Sequence, residues 1–154
     1  MDLLTWSDII IQIVLRLGPV WVALVILFLV SFRFKRSLGL YGKLFDSTIG
    51  MIGFAIVMFW VFAGFFAGAL DWIITHDPLA QFSGMKNKVP GTPLRGAEDG
   101  DYSHFLFGGD HLARDVFSRM IAGSTIVIII APMATLFAFM AVSYTHLTLP
   151  TKQM

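Results

Sequence analysis

"STIGMIGFAIVMFWVFAGFFAGAL", residues 47–70, contains no charged side chain, and it sets the fold class of the whole chain. A helix rises about 1.5 Å per residue, so a run of this length covers the roughly 30 Å hydrocarbon core of a bilayer with some to spare. Asp46 and Asp71 bracket it. The composition agrees: of 154 residues, 56% are hydrophobic and 14% charged, too apolar for a soluble domain of this size. The net charge of +1 gives no reason to expect a nucleic-acid partner. With no Cys there are no disulfides, thiolate metal sites or Cys nucleophiles.

Two further runs flank this one. Met120 to Val142 is also free of charge, with Pro132 inside it. A proline removes one helical hydrogen bond and predicts a kink, which neighbouring helices in a membrane bundle tolerate. The first run, Ile9 to Phe32, is interrupted by Arg16. A charge at the bilayer centre costs about 2.5–3.5 kcal/mol, but Arg16 lies near one end, where its long stem is expected to reach the interface. A cleaved signal peptide is disfavoured, because no basic region precedes the run and no small-x-small site follows it. The expected architecture is therefore all-α and integral to the membrane, with three transmembrane helices plus an interfacial amphipathic helix.

Basic residues orient the spans. The connector 33–46 carries Arg33, Lys35, Arg36 and Lys43, whereas the N-terminal stub has Asp2 and Asp8 and no Lys or Arg. Positive-inside reasoning places that connector in the cytoplasm, with the N-terminus and residues 71–119 outside. The segment 71–119 is polar and punctuated by Asp77-Pro78, Pro90-Gly91 and Asp99-Gly100, and is expected to be loop partly packed on its own aromatics.

The densest charge lies in "FGGDHLARDVFSR", residues 107–119. On a helical wheel from His111 to Ala122, Leu112, Val116, Phe117, Met120 and Ile121 fall on one side. Arg114, Asp115, Ser118 and Arg119 fall on the other. Asp110 stands where an N-cap belongs, and Asp115 with Arg119 makes an acid-first i,i+4 pair. This predicts an amphipathic helix at the outer membrane surface that runs into the third span through Gly123. Metal binding is disfavoured, because His76, His104 and His111 are dispersed without ligand spacing and read as solvated loop histidines. Acid–base catalysis by Asp110 and Asp115 is disfavoured too, because Arg114 and Arg119 should lower both carboxylates. Contact with substrate at the mouth of a pathway stays open.

"GGDHLARDVFSRMIAGSTIVIII" resembles a segment of the peptide-class permeases of bacterial ATP-binding-cassette importers. These are the dipeptide/oligopeptide/nickel permeases of the second ("C") type, whose segment reads G-T-D-x-x-G-R-D-x-x-S-R before an apolar span. The matching positions are Gly108 or Gly109, Asp110, Arg114, Asp115, Ser118, Arg119 and Gly123. Gly109 stands where Thr is usual and Ala113 where Gly is usual. Alanine favours helix over glycine by about 1 kcal/mol, which predicts a regular helix here. "THDPLAQ", residues 75–81, resembles the D-P-x-x-Q that follows the preceding span in the same family. The resemblance covers roughly residues 44–142. Residues 1–43 form an additional N-terminal span and basic connector with no counterpart in the family's common form. The small pair Gly64-x-x-x-Gly68 is spaced to seat another helix.

The resemblance implies a multi-pass permease subunit of the bacterial inner membrane. Its partners would be a second permease subunit, two cytoplasmic ATPase subunits and an extracytoplasmic solute-binding protein, and its cargo peptides or related small solutes. Such a subunit performs no bond chemistry, so no catalytic, cofactor or metal residue is assigned. Asp110, Arg114, Asp115, Ser118, Arg119 and Gly123 are expected as a structural family signature. The family's E-A-A-x-x-x-G coupling motif does not occur in the chain. Its ending, "SYTHLTLPTKQM" (143–154), resembles translated sequencing-adapter read-through, so the natural sequence is expected to run only to about Val142 here with the rest of the gene lost, which makes the chain a truncated N-terminal fragment of such a permease. The alternative from another class is a small membrane sensor or assembly protein that binds a partner through the loop 71–119. A membrane-embedded hydrolase is disfavoured, since spans two and three offer hydroxyls but no His, Asp or Glu.

Overall fold

The computed structural model describes residues 2–35, 37, 39–94 and 102–148. Arg36 of the basic connector, the Asp99-Gly100 turn and residues 149–154 of the tail lie outside the described residues. The chain is mostly helical. The helices are α1 (Trp6–Arg16), α2 (Gly18–Phe34), α3 (Leu40–Leu44), α4 (Thr48–Gly68) and α5 (Val116–Thr148). The strands β1 (Thr92–Pro93) and β2 (His104–Phe105) pair antiparallel between α4 and α5.

Helix α4 realises the charge-free run. Ser47 caps it by accepting a hydrogen bond from Gly50 N at 3.3 Å. It packs between α2 on one side and α5 on the other. The Gly64/Gly68 pair is what lets α5 approach: a Cβ on Gly64 would overlap Ile128, and one on Gly68 would overlap Thr125. The Thr125 hydroxyl also donates to Gly64 O at 2.9 Å, fastening the two helices at the close approach.

Helix α5 is 33 residues long, about 50 Å, and exceeds the roughly 30 Å hydrocarbon thickness. It continues through Pro132, and the Thr135 hydroxyl donates back to Ala131 O at 2.8 Å. From Ile126 to Tyr144 its large apolar side chains are exposed, apart from Ile128, which packs against Gly64. A helix apolar on every face and left uncovered by its own chain requires an apolar medium. By length and composition, α4 and α5 suffice to cross a membrane, and the bent pair α1–α2 makes a third span if counted as one.

The first run is not one straight helix. It breaks at Leu17, before Gly18-Pro19, and α1 meets α2 at 55°. Proline at the second position of α2 starts that helix readily but would obstruct one arriving from α1. Arg16 does not reach for solvent. It turns inward, donating from Nη2 to Ile74 O at 2.6 Å and from Nε to Ile73 O at 3.4 Å.

The helical expectation for residues 111–115 is overturned. Helix α5 begins at Val116, and residues 110–115 form a tight turn in which Ala113 takes φ +61°. Asp110 organises that turn by accepting from Leu112 N (2.8 Å) and Arg114 N (2.9 Å). Capping of α5 falls to Asp115 instead. Local hydrogen bonds to an Asp side chain compete with helix, and here they prevail over the propensity of Ala113. The loop 71–94 and 102–115 is also more ordered than expected. It carries the β1–β2 pair and its own small core of Met85, Leu94 and Phe105.

Candidate functional site

The polar groups converge where the loop meets the first turn of α5. Asp115 side chain is fully buried. Its Oδ1 accepts from Phe117 N at 3.1 Å and its Oδ2 from Ser118 N at 3.4 Å, the geometry of an N-cap. Oδ2 also accepts from the hydroxyls of Thr75 and Ser118, each at 2.7 Å, and faces His76 Nδ1 at 3.0 Å. Burial pushes the Asp115 carboxyl up, but the hydrogen bonds from His76, Thr75 and Ser118 outweigh it and hold the group below its usual range.

His76 is not a solvated loop histidine. Its side chain is 3% exposed, and it is fixed at both ends, with Nε2 lying 2.7 Å from Tyr102 O. Phe82, Tyr102 and Phe105 surround the ring. A backbone carbonyl only accepts, so Nε2 carries a proton directed at Tyr102. Ser118, also fully buried, accepts from Thr75 N (3.2 Å) and His76 N (3.0 Å) while donating to Asp115.

This Ser–His–Asp trio lacks a nucleophilic relay. The serine hydroxyl donates to the acid and accepts from Thr75 N and His76 N, and the histidine's far nitrogen is committed to a carbonyl. Among the described residues, no buried side-chain N or O lacks a partner and no group of His, Asp and Glu is arranged to hold a metal. The network is a knot that ties the loop after α4 to the start of α5.

A second layer of charge sits outside it. Asp110 Oδ2 receives Arg114 Nε at 2.9 Å and Nη2 at 2.8 Å, a fork-like pair. Burial acts upward on the Asp110 carboxyl, but the hydrogen bonds from Arg114 and Leu112 N and the Arg114 charge bring it down to about 2. Arg119 lies 3.8 Å from Asp110 Oδ2 and donates to Pro78 O at 3.4 Å. The expected Asp115–Arg119 pair therefore does not form; each arginine is associated with Asp110. Gly123 stands apart, lining an apolar groove of about 640 Å³ between α4 and α5 with Trp60, Val127 and Pro132 among its walls.

The glycines before the turn are required by close backbone contact. A Cβ on Gly108, at φ +77°, would strike Lys88 O, and one on Gly109 would strike Met85 O. Thr75, His76 and Tyr102 belong to the site although the sequence did not single them out as such. The available signal was "TH" at 75–76, polar residues placed a few positions beyond the end of an apolar span. No protein-family model, curated protein or solved structure matches the chain.

Proposed function

We propose that this chain is a permease subunit of an ATP-driven, binding-protein-dependent importer for peptides or related small solutes. One observation carries the proposal. The two segments that resemble the family, 75–81 and 107–119, are far apart in sequence yet interlock residue by residue. Thr75 and His76 bond to Asp115 and Ser118, Pro78 to Arg119, and Phe82 N to Ala113 O at 2.9 Å. Ala113 also occupies a left-handed conformation, the one that glycine, usual at that position of the family segment, adopts at least cost.

In this role the knot is mechanical. It fixes the outer ends of α4 and α5 to each other, so that closure of the ATPases on the inner side moves them together during alternating access. The loop 71–119 faces the solute-binding protein, and the basic connector faces the cytoplasm. The membrane is the bacterial inner membrane, and the N-terminus is extracytoplasmic.

Cysteine labelling tests the orientation. Both Lys88 and Lys43 are exposed, and a membrane-impermeant maleimide should label Lys88→Cys and spare Lys43→Cys in intact cells; the reverse pattern overturns the topology. Function is tested in proteoliposomes that combine the full chain with a second permease, ATPases and a binding protein of a peptide-class importer. Uptake of labelled dipeptide and binding-protein-dependent ATP hydrolysis should both require the chain. Hydrolysis that is indifferent to it would favour the sensor or assembly role.

A further inference from the structure

Arg16 is a cation held in place with donors to spare. The Ile73 and Ile74 carbonyls take Nε and one Nη2 hydrogen, leaving Nη1 without a partner among the described residues. No carboxylate among the described residues pairs with it. The guanidinium lines an open cleft of about 330 Å³ together with Gln12, Leu15, Tyr102 and Ser103. The Tyr102 hydroxyl donates to Gln12 Oε1, which leaves the Gln12 amide protons free to point elsewhere. Ser103 Oγ, 2.8 Å from His104 Nδ1, adds a hydroxyl at the rim. The cleft is thus a fixed guanidinium with neutral donors around it, which is the chemistry of an oxyanion site.

Its surroundings indicate where the oxyanion comes from. Helix α1 is inside out: Gln12 and Arg16 face the protein with Ile9 and Ile13, while Trp6, Ile10, Ile11, Val14 and Leu15 face outward and are exposed. Trp21, Val22 and Val25 of α2 are exposed as well. We propose that the cleft binds the phosphate of a bilayer phospholipid, with Arg16 supplying the charge, Gln12 and Ser103 the neutral hydrogen bonds, and Leu15 and Ile11 the track for an acyl chain. This is independent of the permease proposal and requires only that the chain sit in a bilayer. The bound lipid would pin the bent joint of α1 and α2 to the loop.

The test is native mass spectrometry of the detergent-purified full chain with dioleoyl phosphatidylglycerol, dioleoylglycerol and inorganic phosphate as separate probes. One phosphatidylglycerol should be retained, dioleoylglycerol should not, and millimolar phosphate should not displace the lipid. Ser103→Asp and Gln12→Glu each place a competing negative charge in the cleft and spare the Arg16–carbonyl bonds. Each should weaken retention at least about tenfold with helical content unchanged. In the unmodified chain, phosphatidylglycerol should also protect Arg16 from phenylglyoxal, an outcome that does not depend on any variant folding. Equal retention of dioleoylglycerol, displacement by inorganic phosphate (a soluble-oxyanion site), or Arg16 modified equally with and without lipid would each overturn the proposal.

Discussion

Helix α5 is two different objects along its length. Its first turns, Val116 to Ser124, are packed against α4 and the loop, with Phe117, Ser118, Ile121 and Ser124 buried and the buried polar side chains there bonded within the chain. From Ile126 onward its large side chains are bare, except Ile128 against Gly64. The first part is held by directional bonds that this sequence supplies to itself. The second is stable only in a medium that asks nothing of its surface, which is why it carries no charge. Stability internal to the chain is therefore concentrated at one end of the helix, and substitutions at the two ends should differ sharply.

The largest expected effect is at the buried end. Asp115→Ala removes the acceptor for His76, Thr75, Ser118 and two backbone N–H groups at once, and should cost about 3–5 kcal/mol. Phe137→Ala, at a 64% exposed position on the bare half, should fall within about 0.5 kcal/mol. Denaturant unfolding in detergent micelles compares the two. Equal losses would mean that the bare half packs within the chain after all.

Acid should reproduce the first effect gradually. The Asp110 and Asp115 carboxyls are both lowered in the folded state from their ordinary value of 3.8. A lowered carboxyl stabilises the fold above its unfolded value and loses that contribution as pH falls through its folded value. Thermal stability of the chain should thus be level from about pH 7 to pH 5 and fall below about pH 4. Asp115→Ala should show a shallower acid slope; an unchanged slope would remove Asp115 from the linkage.

The smallest effect sharpens the turn that separates loop from helix. A left-handed alanine costs roughly 1–2 kcal/mol, which Ala113→Gly relieves at the expense of about 0.5–1 kcal/mol of chain entropy and one packed methyl. The net change should lie within about 1 kcal/mol of zero and lean toward stabilisation. The same substitution at Ala134, within α5, should destabilise by about 1 kcal/mol. A clear loss at Ala113 would contradict its left-handed conformation.

Long-range hydrophobic pattern was readable because it does not depend on partners. A charge-free run as long as 47–70 has one economical solution in a bilayer, and Gly64 and Gly68 could be read as a helix seat from spacing alone. The turn at 110–115 departs from the helical wheel because it does depend on partners. A helical wheel records which residues share a face, but not whether an aspartate at 110 will bond its own backbone before a helix can form. Likewise Arg16 was judged by its depth in an apolar run, whereas its position is set by the carbonyls of Ile73 and Ile74, which only the fold brings near.

Local composition and period are enough to require a helical, membrane-compatible chain, the positions of its apolar runs and the close seat on α4, because burial of apolar surface follows from them. The tertiary structure alone decided that His76 joins Asp115, that Arg114 and Arg119 turn to Asp110, and that α1 bends away from α2. Those outcomes depend on which donors meet which acceptors across dozens of residues, and a buried polar group is stable only where such a meeting occurs.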